Sequence, residues 1–541
     1  MAQLTIDGKP CEFEGKKTIL QVAIEHDIEI PHYCYHPGMS VVASCRICLA
    51  EVAQPNPRND NKVELIPKLM PTCQTAAGDG MEVHTRSPKS VQNQKTVMEL
   101  LLINHPLDCP VCDQAGECSL QDYSFRYGRS CSRFEETKIK QPKKDIGLNV
   151  LLYSDRCIMC SRCVRFTREV TGTSELGVFG RGSSEQIDVF PGKPLNNELS
   201  GNVVDICPVG ALLDKDFLMS MRVWNLTKTP SIDGITASGD NLSIESNENK
   251  VYRVKPRTNM DVNTWWTSDE IRFGWKFVHH PDRLRSPRVK EDSQPVECDW
   301  NQAYQRVADT LKDIHKQHGP GSLAMMVSPM LSCEEAYLLG KLAIGIDDQA
   351  VLGVGPIPRE GQDKTFPGGY TLYAEKCPNA RGVRRALGQL TDQVLEYDAF
   401  VDQAQNAKAV VLTGNYPSQW VTPALAYAVE DAFVVLIDTL PTLLSDVADV
   451  VLPGATWIEK AGTFENVNHR LQTFEQAIAV IELAKPEGQI ALDLLHAVGH
   501  GPRSLFDPAA LRIEMGDAFV HDVHHPDTAS QAKSDLEYVE L

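Results

Sequence analysis

Thirteen of the sixteen cysteines lie within the first 207 residues, and only Cys298, Cys333 and Cys377 lie beyond them. Sixteen in 541 residues is too dilute for a disulfide scaffold. The segment Met1 to Gly8 has no basic region followed by an apolar stretch, so it reads neither as a signal peptide nor as an Arg-rich transit peptide. In a reducing compartment disulfides are rare, and clustered cysteines read as metal ligands or redox groups. Charge narrows the classes further. Lys and Arg number 53 against 72 Asp and Glu, a formal net charge of −19. Such a chain is a poor ligand for nucleic-acid phosphates and lacks the basic face that anionic lipid attracts. No apolar run approaches the roughly 20 residues of a membrane span. At about 150 residues per domain, the length predicts three to four domains.

The pattern of elements predicts an α+β and α/β multidomain chain. Leu4 to Lys9 alternates and ends in an Asp-Gly turn, Cys11 to Glu14 is a partner strand, and Thr18 caps a helix with Gln21 at its third position. A hairpin followed by a helix suits a β-grasp domain over residues 1–78. An apolar helix is expected around Val97 to Ile103, then a polar Lys-rich stretch near Lys138 to Lys144. Short strands run from Ile232 to Val254. Beyond about Arg285, helices alternate with apolar strands such as Ala409 to Leu412 and Phe433 to Ile437, the mark of an α/β domain. Residues 501–541 read as a polar, poorly ordered tail.

Three groups carry the chemistry. Cys34, Cys45, Cys48 and Cys73 are spaced C-x10-C-x2-C-x24-C, a variant of the plant-type [2Fe–2S] arrangement with a longer first gap. His105, Cys109, Cys112 and Cys118 form H-x3-C-x2-C-x5-C, four ligands within fourteen positions. A neutral His in place of a thiolate makes a cluster less negative. Cys157, Cys160 and Cys163 form C-x2-C-x2-C, and Cys207 is followed by Pro208, a [4Fe–4S] signal. Position 167 is Thr, so the triplet must take its fourth thiolate from Cys207, which predicts one cubane and not two. Zinc is the competing reading of four soft ligands, although zinc ribbons usually carry two C-x2-C pairs. Cys11, Cys131 and the three late cysteines fit no pattern. His521, His524 and His525 read as a solvated face. Gly353-Val354-Gly355 lacks a third glycine, and no P-loop is present, so no nucleotide site is expected.

The order of these motifs resembles the large iron–sulfur subunit of respiratory NADH:quinone oxidoreductase (complex I). Asn263 to Phe273 resembles the segment after the clusters in that family, and Ala448 to Gly454 with Glu459 to Asn466 resembles its molybdopterin-oxidoreductase-like domain. The resemblance implies a [2Fe–2S] domain at 1–78, a one-His, three-Cys [4Fe–4S] module at 79–119, and a ferredoxin-type [4Fe–4S] domain at 120–220. It further implies a Mo/W bis-MGD-type segment at 221–285 and a truncated molybdopterin-oxidoreductase-like domain at 286–500. Some relatives carry C-x2-C-x3-C at the start of the fourth region. Here Thr229 to Thr236 has no cysteine, so that cluster and molybdopterin are both expected to be absent.

The implied function is electron relay. Electrons from NADH, through FMN of a partner subunit, would pass along one [2Fe–2S] and two [4Fe–4S] clusters towards quinone, coupled by the complex to proton translocation. No catalytic acid, base or nucleophile is implied. The implied partners are the flavin- and NADH-binding subunit and other peripheral-arm subunits. The implied place is the cytoplasmic face of a bacterial inner membrane (the matrix side in mitochondria), with membrane contact only through the complex. The rival is the catalytic subunit of an NAD-linked molybdenum formate dehydrogenase, which shares the N-terminal modules. The missing C-x2-C-x3-C and the short second half argue against it. An iron-hydrogenase branch would need further cysteines for its active-site cluster.

Overall fold

The computed structural model describes residues 1–292 and 294–525. Its described residues divide into two compact units, residues 1–226 with 366–370, and residues 227–365 with 371–525.

The first unit opens with the hairpin Ala2–Ile6 and Lys9–Phe13, paired from Ala2↔Phe13 to Ile6↔Lys9. Asp7 (φ 48°) and Gly8 (φ 85°) turn it. Two successive positive φ values match the right-handed strand twist, as in primed hairpin turns. Thr18 caps the helix Ile19–Glu25 through a reciprocal box with Gln21. Strand Glu82–His84 lies between Ala2–Ile6, to which it is parallel, and Leu49–Asn56, to which it is antiparallel. Ile6, Ile19, Leu20, Val22, Val52 and Val83 form the core of this β-grasp sheet and also enclose Cys11, whose thiol burial pushes up. Helices Pro88–Leu102 and Ser119–Tyr127 follow. The strands Lys143–Asp145, Val150–Tyr153 and Leu212–Asp214 form a three-stranded sheet, with the short helices Arg162–Arg165 and Asn202–Ile206 between its last two strands in sequence.

The second unit begins with a three-stranded antiparallel sheet, Thr227–Ile232, Asn241–Asn247 and Lys250–Pro256. It continues into an eight-stranded sheet. Six of those strands are parallel: Leu323–Val327, Val351–Val354, Val394–Leu395, Ala409–Thr413, Phe433–Asp438 and Val450–Pro453. Numbered in chain order their spatial order is 6-5-4-1-2-3, the doubly wound arrangement. Alternation along each strand serves two cores. Val411 and Val435 pack with the helices Trp300–His318, Cys333–Ile346 and Glu487–Ala497, whereas Val410 and Val434 pack with Tyr397–Ala404 and Pro423–Ala428. Strands buried on both faces explain why the sequence shows continuous apolar runs here.

Two expectations need correction. Strand Glu82–His84 completes the β-grasp sheet, so that sheet extends past residue 78. Within the polar tail, residues 508–524 are folded: helices Pro508–Met515 and Ala518–His521 and strand Val523–His524 carry Leu511, Met515, Phe519 and Val523 into the main α/β core. Leu511 and Met515 share one face of the first helix, and the polar residues around all four conceal this apolar set in the sequence. The rest of the expected tail, 526–541, lies outside the described residues. The expected helix around Val97 is also longer, since Ser87 caps it and Pro88 occupies its first turn. Phe519→Ala is expected to destabilise the α/β unit by about 3–5 kcal/mol, read from its urea-unfolding transition.

Candidate metal centres

Cys34, Cys45 and Cys48 lie on the loop between helix Ile19–Glu25 and strand Leu49–Asn56, and Cys73 follows the short strand Met70–Pro71. Ala43 (φ 50°) and Arg46 (φ 59°) hold that loop in left-handed turns. Such strain concentrates where a loop must present side chains to a site. The sulfurs of Cys48 and Cys73 are 3.5 Å apart. Thiols of Cys45 and Cys73 donate to Cys34 and, with the backbone N–H groups of Cys45 and Ser44, hold it well below the usual thiol range against the effect of burial. Hydrogen bonding from Cys73 likewise holds Cys48 down at about 6, while Cys45 and Cys73, as the partners in these bonds, are pushed up. All four predicted sulfurs therefore form one mutually bonded group, and such a low-lying thiolate is the form that binds metal.

His105, Cys109, Cys112 and Cys118 line a second cavity with Arg156 and Gly210. Lys138 donates to the carbonyls of Leu102 (2.7 Å) and Ile103 (3.0 Å), closing the helix just before His105. Burial, then the charges of Arg156 and Lys138, lower the His105 pKa to about 4, so its ring is neutral at physiological pH. Its buried Nδ1 has no hydrogen-bond partner. A neutral imidazole with an orphaned buried nitrogen beside three thiols fits the role of fourth ligand. Cys118 is the N-cap residue of helix Ser119–Tyr127; burial pushes its thiol up to about 12, against the smaller lowering effect of the nearby Gln121 and Leu120 backbone. Arg222 fixes the ligand loop by donating to the carbonyls of Cys112 (2.9 Å) and Pro110.

Cys157, Cys160, Cys163 and Cys207 line a third, largely apolar cavity. Met159 (φ 54°) and Ser161 (φ 60°) coil the triplet, and the Met159 N–H donates to Cys157 Sγ at 3.3 Å. Burial pushes Cys157 up to about 12 and Cys207 up to about 11. Thr167 is buried and bonds back to the Val164 carbonyl. Cys207 thus joins the triplet in one cavity. A thiol raised by burial is ionised by a metal that binds it.

The second and third cavities share chain. Cys207 belongs to one and Gly210 to the other, where a Cβ would lie 2.2 Å from Cys112 Sγ. Sequence reading missed Gly210, Lys138, Arg156 and Arg222. The signal for Gly210 and Arg156 was their place beside the Cys207-Pro208 and Cys157 motifs.

In the second unit the segment without cysteines is closed by a polar knot. The buried Asp233 carboxylate accepts from the N–H of Ile235 (2.8 Å), from Ser238 Oγ (3.0 Å) and from Thr236. The switch point of the parallel sheet, where an α/β fold binds phosphate-bearing cofactors, is also occupied. Tyr416 Oη donates to the Pro356 carbonyl (2.6 Å), and Gly355 packs closely against Tyr416 and Pro329. Trp420 Nε1 donates to Asp438 (2.8 Å), and Asn415 bonds Asp438 and Glu487. Lys460 is sandwiched between Glu335 (3.0 Å) and Glu487 (2.5 Å). Buried carboxylates and aromatic rings at this position do not fit the phosphates of a molybdopterin dinucleotide. Gly353 meets the Phe400 ring, so both glycines of the weak loop signal serve packing. Cys333 and Cys377 lie in the two cores, Cys298 is partly buried and Cys131 is exposed. His524 and His525 bond Arg470 and Thr473.

Five domain families match along the chain. They are a 2Fe-2S iron–sulfur cluster binding domain (1–88), the NADH-ubiquinone oxidoreductase-G iron–sulfur binding region (94–133) and the ferredoxin-like domain of NADH-quinone oxidoreductase subunit 3 (147–213). The NDSU1/NuoG-like 4Fe-4S domain (226–276) and molybdopterin oxidoreductase (283–415 and 354–497) follow. The 75 kDa subunit of NADH-ubiquinone oxidoreductase from Reclinomonas americana is 40% identical over 342 residues, 63% of this chain and 47% of its own. Over 63% of its length, the chain is homologous to part of the large iron–sulfur subunit of NADH:quinone oxidoreductase. The corresponding NADH-quinone oxidoreductase protein of Rickettsia felis is 37% identical over 63% of this chain and 49% of its own. The chain thus spans about half the length of the curated relatives it matches. A crystal structure of NAD+-reducing [NiFe]-hydrogenase in the H2-reduced state matches with a TM-score of 0.36 and 26% identity, covering 41% of this chain and 91% of that one. The 226–276 match names a 4Fe-4S domain, yet those residues contain no cysteine or histidine here. Among the described residues no helix is long and apolar enough to cross a membrane.

Gly210→Ala is expected to empty the second centre selectively, because its methyl group would occupy the place of the Cys112 sulfur. Iron and sulfide assay of the purified variant should fall by about four irons per chain, with the first-centre spectrum retained.

Proposed function

We propose that this chain is an electron-relay subunit of an NADH:quinone oxidoreductase, holding one [2Fe–2S] and two [4Fe–4S] clusters. The observation that carries this is the gathering of all twelve expected ligands into three separate groups of four within one unit. Homology to the large iron–sulfur subunit supplies the complex in which such a relay works. Bound clusters would supply one-electron transfer. The chain's own residues bind them, exclude water and fix their spacing. Cys34, Cys45, Cys48 and Cys73 would hold the [2Fe–2S] cluster. His105, Cys109, Cys112 and Cys118 would hold one [4Fe–4S] cluster, and Cys157, Cys160, Cys163 and Cys207 the other. Electrons would come from NADH through the flavin of a partner subunit and leave towards quinone, on the cytoplasmic or matrix face of the membrane.

The molybdenum-enzyme alternative finds no support in the filled switch point, so the α/β half reads as a scaffold. The decisive measurement is metal analysis with EPR on reduced protein. The expected result is about ten irons per chain with [2Fe–2S] and [4Fe–4S] signals. A colourless zinc protein, or molybdenum near one per chain, would overturn the reading. Cys207→Ala is expected to abolish the third-centre signal and leave the first-centre signal intact. Persistence of both would separate Cys207 from the triplet.

A further inference from the structure

The stretch Arg156 to Arg165 places buried guanidinium groups beside all three centres. Arg156, Arg162 and Arg165 are each 2% exposed. Arg156 directly precedes Cys157 of the third centre, yet its side chain lines the second cavity with His105 and Cys112. It stacks 4.0 Å over the Tyr153 ring and donates to Asp108 Oδ2 at 2.9 and 3.2 Å. Arg162 lines the third cavity. It donates to the carbonyl of Ile206 (3.3 Å), next to Cys207, and to that of Tyr35, next to Cys34. Arg165 donates to the carbonyls of Cys34 itself and of Ser40. One motif therefore sends a cation towards the second centre and two towards the first, one of which, Arg162, also lines the third cavity.

A buried cation is costly unless an anion faces it. Arg156 has the partly exposed Asp108. Among the described residues no carboxylate lies within ion-pairing distance of Arg162 or Arg165, whose hydrogen-bond acceptors are backbone carbonyl oxygens. The Nε atoms of both are buried without an acceptor. This occurs in a chain with a large excess of acidic residues, net −19, so carboxylates were not scarce. The anions that such guanidinium groups lack are the ones that thiolate-held iron–sulfur clusters supply. A cluster bound by thiolates is negative overall and gains one more negative charge on accepting an electron.

We propose that Arg156, Arg162 and Arg165 are fixed counter-charges of the relay, setting the reduction potentials of the centres they adjoin and easing the repulsion between neighbouring reduced centres. Arginine suits the task because it keeps its charge when buried, where lysine deprotonates more readily. Low solvent access leaves the interaction little screened by salt. They are positioning residues, since they act through the ligands and their surroundings. The inference rests on the relay reading, because it needs clusters at the three sites.

The test is EPR-monitored potentiometry of the iron-loaded full-length chain. Each centre takes one electron from dithionite through mediator dyes and returns it to ferricyanide. Arg156→Gln is expected to make the second centre harder to reduce, lowering its reduced-to-oxidised ratio about tenfold, or ~59 mV for one electron, with the first centre unmoved. Arg165→Gln is expected to shift the first centre in the same direction, with the second unmoved. Arg156→Lys and Arg165→Lys, which retain the charge, are expected to recover most of each shift. A purely structural role predicts loss of iron in the Gln and Lys variants alike, and that result would overturn the proposal. So would midpoints that move less than twofold in ratio, or that move equally at all centres. Absence of cluster signals from the unsubstituted protein would instead overturn the relay reading, which keeps the two failures distinct.

Discussion

Burial and ionisation oppose each other at nearly every ligand cysteine, and the first unit is built around that conflict. A thiol in an apolar cavity resists losing its proton, as Cys157, Cys163 and Cys207 show. The fold counters this with short-range devices: left-handed turns that aim N–H groups at sulfur, a helix N-terminus at Cys118, and thiols that donate to one another around Cys34. The first centre leans on hydrogen bonds between its own sulfurs, whereas at the third the charges of Arg162 and Arg165 act on Cys160 against the larger effect of its burial. Different means thus serve the same need, which is to hold negative sulfur away from water.

The second unit has a binding architecture whose crevice is lined by groups that bond to one another. Its strand order creates the crevice in which doubly wound folds bind phosphate-bearing ligands. Tyr416, Trp420, Asn415 and the Glu335–Lys460–Glu487 group occupy that crevice with contacts to one another. A buried ion pair is a weak source of stability but costly to break singly, so this filling ties the ends of four parallel strands together. Asp233 does comparable work at the segment homologous to a 4Fe-4S domain. Its carboxylate gathers backbone and hydroxyl donors from a stretch that contains no metal-binding thiol.

Much of this was legible in the sequence because the informative signals were local. The Asp7-Gly8 turn, the Thr18–Gln21 box and the cysteine spacings each depend on residues close along the chain. That Cys207 would lie beside the distant triplet, whose cavity it lines, was legible too, by elimination at Thr167. What stayed hidden depends on three-dimensional neighbours. The insertion of Glu82–His84 between two earlier strands is a non-local pairing. The apolar residues Leu511, Met515 and Phe519, on two successive short helices, are diluted by the Arg, Glu and Asp between them. Arg156 beside His105 joins residues 51 positions apart in different motifs. Nothing about an arginine next to a cysteine says which cavity its side chain enters.

The segment from Cys207 to Gly210 has one end in the third cavity and the other in the second. Three peptide steps span at most ~11 Å, so covalent bonds cap the separation of these two walls. A packing contact between helices can slacken with temperature or a distant substitution, but a tether of this length cannot lengthen. Because tunnelling falls steeply with distance, the tether would act as a ruler for any electron step between clusters held in the two cavities. It limits how far that gap can open even when the surrounding fold loosens.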